Sequence, residues 1–129
     1  MQTKNYSKLL ENLAKLFYAV SAADGHVHEL EIKQLKQLVK YKWLSLEEVD
    51  GIAAVSVIET TFDWLVQQSA DYESCFTEFE SYYQAHSSLF SKAMIKLTFH
   101  TAYAIADAFE GLNVEETAIL KRLMTCLKN

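Results

Sequence analysis

Residues 22–31 read AADGHVHELE, and the parsing of this stretch decides the fold. Upstream of it, Tyr6, Leu9, Leu10, Leu13, Leu16, Phe17 and Val20 recur at the i, i+3, i+4, i+7 spacing of one helix face. The spacing predicts an amphipathic helix over 5–23. Asp24-Gly25 ends it, because glycine takes the left-handed conformation that closes a helix C-terminus without a Cβ clash. Downstream, Ile32, Leu35, Leu38 and Val39 form a second apolar face, which predicts a helix over 28–41. His28 is placed as its N-cap and Glu31 as its third residue, a variant of the capping box. The stretch is therefore a turn between two helices, and its histidines and acids are expected as polar residues at the turn.

Working outward, the same pattern continues to the end of the chain. There are no prolines and only three glycines in 129 residues, which leaves little turn-forming material and favours an all-α chain. Ser45 and Glu48 have the S-x-x-E spacing of a helix start. The helix after them is interrupted in the reading by Gly51 and by the β-branched run VSVIETT. Residues 55–61 are compatible with a helix or a buried strand, and helix is preferred because no second strand exists to pair with it. FDWLVQQ then reads as a separate short helix or turn. Asp71 caps a stripe of Tyr72, Cys75, Phe76, Phe79, Tyr82 and Tyr83. HSSLFS at 86–91 is a loop with Ser91 as the next cap. Helices over about 92–109 and 114–127 follow, the second packing through Ile119, Leu120, Leu123, Met124 and Leu127. The expectation is a compact single-domain helical bundle over 1–129.

The opening motif returns near the C-terminus. AADGHVHELEIKQLKQLV at 22–39 aligns with AFEGLNVEETAILKRLM at 108–124 once His26 is skipped. Gly25 matches Gly111, Asp24 matches Glu110 and Val27 matches Leu112. His28 then falls on Asn113, and Glu31 on Glu116. Each copy says that an acid and a glycine end one helix, an apolar residue turns inward, and a capped helix begins.

The pattern A-x-A-D-G-x-(I/V)-x-x-x-E resembles the signature of the TerB-like tellurite-resistance family, through Ala22, Asp24, Gly25, Val27 and Glu31. The degenerate second half of that pattern resembles Glu110, Gly111, Leu112 and Glu116. The resemblance implies a compact all-α domain of two pseudo-repeated helix-turn-helix units. It also implies links to tellurite and other chemical stress, a role as an interaction module, and a divalent cation at Asp24, Glu31, Glu110 and Glu116. Glu110, where the family has aspartate, and the shortened second loop depart from the pattern.

Read from the residues alone, those acids have two explanations. Calcium needs six to eight oxygens from a wrapping loop, and Asp24, Glu29 and Glu31 lack EF-hand spacing. Zinc would use His26 and His28 with further ligands, which Asp107, Glu110 and Glu115 supply only if the two turns meet. The alternative is capping chemistry, with each acid favoured beside a helix N-terminus.

Charge narrows the function classes. No lysine or arginine occurs between Lys42 and Lys92, a stretch that holds nine acids within a net charge of −5. Such a segment repels phosphate backbones, which argues against nucleic-acid and anionic-membrane binding. It suits a basic protein partner or cations. No apolar run reaches membrane-helix length and no signal peptide is evident, so a cytoplasmic protein is expected. Cys75 and Cys126 lack ligand spacing and read as reduced core residues, and His100 as a histidine near the core. No phosphate loop, HExxH or nucleophile-elbow motif is present, so no enzyme is expected. Two readings result: a stress-associated binding module with an acidic surface, and a helical scaffold that self-associates through apolar surface around Trp64 and Tyr82–Tyr83.

Overall fold

The computed structural model describes residues 6–45, 50–108 and 111–128. Among these described residues six helices follow in order: α1 (Ser7–Ala22), α2 (Glu29–Tyr41), α3 (Gly51–Gln68), α4 (Tyr72–His86), α5 (Lys92–Asp107) and α6 (Val114–Lys128). Short 3₁₀ turns at Trp43–Ser45 and Ser87–Leu89 lead out of α2 and α4. Among the described residues there is no strand, and no helix is long and apolar enough to cross a membrane.

The first helix is more than amphipathic. From Leu16 to Ser21 every residue of α1 is buried, and α3, α4 and α5 pack around it. A helix apolar on all sides is an interior helix, so α1 is the axis of the bundle. Two of its polar side chains find backbone acceptors: Tyr18 donates its hydroxyl to the Ala70 carbonyl at 2.7 Å, and Asn12 donates to Lys8 O at 2.8 Å. All six helices contribute to the core that surrounds it. Cys75 and Cys126 are buried there as free thiols, and burial pushes Cys126 up to about 11.

Residues 51–68 form one continuous helix, which settles 55–61 as helical and absorbs FDWLVQQ into the same element. Tertiary burial of Ala54, Ile58, Phe62 and Leu65, spaced at 4, 4 and 3, overrides the β propensity of VSVIETT. The helix starts on Asp50, whose carboxylate accepts from the Ile52 and Ala53 amides. The Ser45–Glu48 cap expected from sequence involves residues 46–49, outside the described residues.

Gly51 is the first residue of α3, not a break in it. A Cβ there would lie 2.5 Å from the Leu44 carbonyl oxygen and 2.9 Å from Leu44 Cα. Backbone cannot rotate away as a side chain can. Gly51→Ala is therefore expected to lose about 1–3 kcal/mol, although alanine is the better helix former. Urea denaturation checks this, and an unchanged or raised midpoint would show that the 3₁₀ turn yields freely.

Asp71 and Ser91 cap α4 and α5 as expected, accepting from the Ser74 and Met94 amides. The cation-free middle of the chain is not a bare acidic face. Lys15 pairs with Glu78 at 2.8 Å, Lys36 with Asp63 at 3.3 Å, and Arg122 with Glu73 at 2.7 Å. Each bridge ties the acidic segment to a flanking helix. Asp50 and Asp71 are spent on helix caps.

Candidate functional site: two turns closed on a carboxyl pair

Both glycine turns form as the sequence predicts, with φ of +96° at Gly25 and +79° at Gly111. Val27 packs against the core, whereas its counterpart Leu112 stays 38% exposed, so the repeat is asymmetric in its apolar residue. At the N-terminus of α2 the His28 amide donates to Glu31 Oε1 at 3.1 Å. At the N-terminus of α6 the Asn113 amide donates to Glu116 Oε1 at 3.4 Å, and the Glu116 amide donates back to Asn113 Oδ1 at 2.7 Å. Both glutamates thus serve as capping-box acceptors.

The two turns meet. Asp24 Oδ1 accepts from the His26 amide at 3.1 Å, while Oδ2 lies 3.3 Å from His28 Nε2 and accepts from Asn113 Nδ2 at 3.1 Å. The last bond crosses from one repeat to the other. His28, expected as an exposed loop residue, is half-buried because Asp24 holds its ring; His26 is exposed. His100 is exposed rather than near the core, because it lies on the outer side of α5.

Below this surface layer sit Glu31 and Glu116, at 0% and 1% exposure. The second oxygen of Glu31, Oε2, is buried and receives no N–H or O–H donor. The Glu116 carboxyl stands close enough to that of Glu31 to act on it through a side-chain hydrogen bond. Two carboxylates cannot bond to each other, so the contact requires a proton on one of them. Burial, then the bond to Glu116, pushes Glu31 up to about 8, opposed by the His28 amide. Burial also raises Glu116, while its bonds to Glu31 and Asn113 pull the other way. Both members are raised above the ordinary glutamate value, so the proton belongs to the pair.

These oxygens do not fit a divalent cation as placed. Among the described residues, no group of three or more His, Cys, Asp or Glu side chains is positioned to hold a metal ion. Each glutamate spends one oxygen on an amide, the facing pair needs a proton, and Asp24 is occupied by protein donors. Hard cations need several free oxygens directed at one point. Glu110, the fourth residue implied by the resemblance, lies outside the described residues.

The contact between Glu31 and Glu116 and the Asn113 amide bridge were missed from sequence. The signal was available in the repeat itself: if two capped turns pack together, their equivalent third residues are brought face to face.

The fold and the site define an all-α domain in which two capped turns are closed on a buried carboxyl pair. No protein-family model matches the chain, and no curated protein or solved structure is significantly similar to it.

Proposed function

We propose that this protein is a non-catalytic helical scaffold that self-associates through the outer face of α3. The carrying observation is the character of that face. Its exposed residues, among them Ile52, Ser56, Thr60, Trp64 and Gln67, are uncharged, and Asp63, which shares this side of the helix with its side chain 49% exposed, is ion-paired with Lys36 at 3.3 Å. Ile52 is 78% exposed and Trp64 56%. Two molecules of net charge −5 repel at long range, so a contact between copies favours a surface without charge. Small side chains at 53, 56 and 60 let two helices approach closely.

Tyr83, paired with Trp64 in the sequence-based expectation, belongs to the core. It is 3% exposed, and its ring packs against Phe79 and Phe90. Tyr82 is half-buried against His86 and Phe90, so of the surface expected from sequence only Trp64, on α3, stays exposed.

The non-catalytic reading is supported at the groove between α1 and α4, which holds Glu78, Ser81 and His86. These are the residue types of a hydrolase triad, but the bonds of the acid and the histidine run elsewhere. Glu78 is ion-paired with Lys15, and His86 stacks on Tyr82 at 4.3 Å with Nδ1 directed at the Tyr82 carbonyl. The metal and stress roles implied by the family resemblance rest on a turn motif whose described acids act here as caps.

One helix crossing lies at the low end of stable interface sizes, so a dimer dissociating in the micromolar range is expected. Sedimentation velocity from about 1 to 200 µM checks it: the wild type should shift from one to two chain masses, and Trp64→Glu should remain a monomer. A wild type that stays monomeric throughout, or a Trp64→Glu protein that still dimerises, would rule out this function.

A further inference from the structure

We propose that the groove between α2 and α3 is a docking site for an amphipathic helix of another protein, acidic along one side and apolar at its ends. The groove has a volume of about 870 Å³ and is lined from α2 by Leu30, Lys33, Lys36, Lys40 and Tyr41, and from α3 by Glu59. This surface reverses the charge of the molecule around it: four lysines and no acid lie between Glu31 and Glu47, in a chain of net charge −5. None of the lining residues belongs to the uncharged face of α3, so the docking is independent of self-association.

One stripe of α2 carries the site. Leu30, Lys33, Gln37 and Tyr41 succeed one another at steps of three, four and four, with Lys40 beside Tyr41, and all of them line the groove. Leu30 and Tyr41, 53% and 69% exposed, are large apolar side chains at the two ends of the stripe. The Lys40 ammonium stands over the Tyr41 ring, 5.8 Å from its centroid. Lys36 is held by Asp63 of α3 at 3.3 Å, which joins the two walls at one level. Lys33 and Lys40 are exposed and have no ion-pair partner among the described residues. Glu59, one turn before Asp63 on the opposite wall, is likewise unpaired among them. Opposite charges thus line one groove without pairing.

The spacing selects the partner's conformation. Lys33 and Lys40 are seven residues apart, about 10 Å along the helix axis. A strand covers that distance in about three residues, and side chains three apart point to opposite faces. A helix laid along the groove covers it in seven residues and returns both acids to one side. Matching Leu30 and Tyr41 as well gives acids at i+3 and i+10 between apolar residues at i and i+11. Polyanions are disfavoured. Glu29 at the Leu30 end and Glu59 on the far wall border the lysines, so a nucleic-acid backbone or an anionic bilayer meets repulsion beside each attraction.

The two kinds of contact divide the work. The lysines steer the acidic helix to the groove and set its direction, an attraction that salt screens. The apolar ends supply the buried contact that slows its release. Reversing both lysines inverts the first contribution at exposed positions that belong to no core contact, so the fold is retained.

The probe is a fluorescently labelled, stapled helical peptide of about 15 residues, built of alanine and glutamine apart from leucines at i and i+11 and glutamates at i+3 and i+10. A second peptide has lysines in place of the glutamates. Anisotropy titration should give saturable binding of the acidic peptide by the wild type, weakened at least about tenfold in Lys33→Glu/Lys40→Glu. The basic peptide should show the reverse preference, tighter on the double variant than on the wild type, which a loss of folding cannot produce. Amide NMR shifts caused by the acidic peptide should gather on α2 and around Glu59. Absence of binding by the wild type, equal affinity of the acidic peptide for both proteins, or shifts centred elsewhere would each overturn the site. So would binding of poly-glutamate or of anionic lipid vesicles as tight as that of the peptide. Self-association is followed by mass without peptide, so failure of the α3 contact leaves this result intact.

Discussion

Trp43→Ala is expected to lose about 3–5 kcal/mol of stability, the range for removing a large aromatic from a packed core. Trp43 lies on the 3₁₀ turn after α2, a position where large residues are usually half-exposed, yet it is 0% exposed. Its ring meets the edge of Phe17 at 6.1 Å, on the central helix. Its indole N–H donates to Thr101 Oγ1 at 3.1 Å, and that hydroxyl donates in turn to Leu97 O at 2.7 Å. One side chain thus fastens the α2–α3 connection to α1 and α5. Truncation removes the packing and leaves a cavity in the core. Trp43→Phe refills most of the volume but has no donor for Thr101, so it should lose only about 1–2 kcal/mol. Chemical denaturation followed by far-UV circular dichroism measures both. Similar small losses for the two variants would show that the ring is not a structural anchor.

Trp43 also shows where sequence reading stops. Periodicity assigns Trp43 no place, because it lies between the predicted helix over 28–41 and the start at Ser45. Only the path of the chain after α2 buries Trp43 and leaves Trp64 outside. By contrast, the helix starts at Asp71, Ser91 and Asn113 were legible, because N-capping is a local interaction over three residues. The two glycine turns were legible for the same reason. Gly51 was misread because its cause is long-range: the Leu44 backbone presses on it, and periodicity does not carry that information. The acidic middle was read correctly as a charge pattern and incompletely as a surface, since its counter-charges come from Lys15, Lys36 and Arg122 in other parts of the chain.

The candidate site divides along the same line. Capping roles for Glu31 and Glu116 follow from spacing, and the resemblance assigned both to a cation. Their mutual contact depends on the packing of α2 and α6 turns 85 residues apart in sequence, and it changes what the acids can do. A carboxylate with free oxygens is a metal ligand; a buried carboxyl facing another is a proton store.

Truncating the pair should therefore be strongly non-additive. Glu31→Ala removes the acceptor of the His28 amide and the proton partner of Glu116, leaving a buried polar group on each side of a new void. Glu116→Ala does the same from α6. Each is expected to lose about 2–4 kcal/mol near pH 6, since a broken buried pair costs more than the pair itself contributes. In the double variant the second removal breaks no remaining carboxyl contact. Its loss should fall short of the sum of the single losses by more than about 1 kcal/mol. The shortfall should shrink as the pH is raised above 8, where the wild-type pair has already lost its proton and its attraction. Denaturation curves for the four proteins at pH 6 and pH 9 complete the cycle. Additive losses at pH 6 would mean that Glu31 and Glu116 act only as separate caps, each answering its own helix, and that the two repeats are joined by packing and the Asp24–Asn113 bond alone.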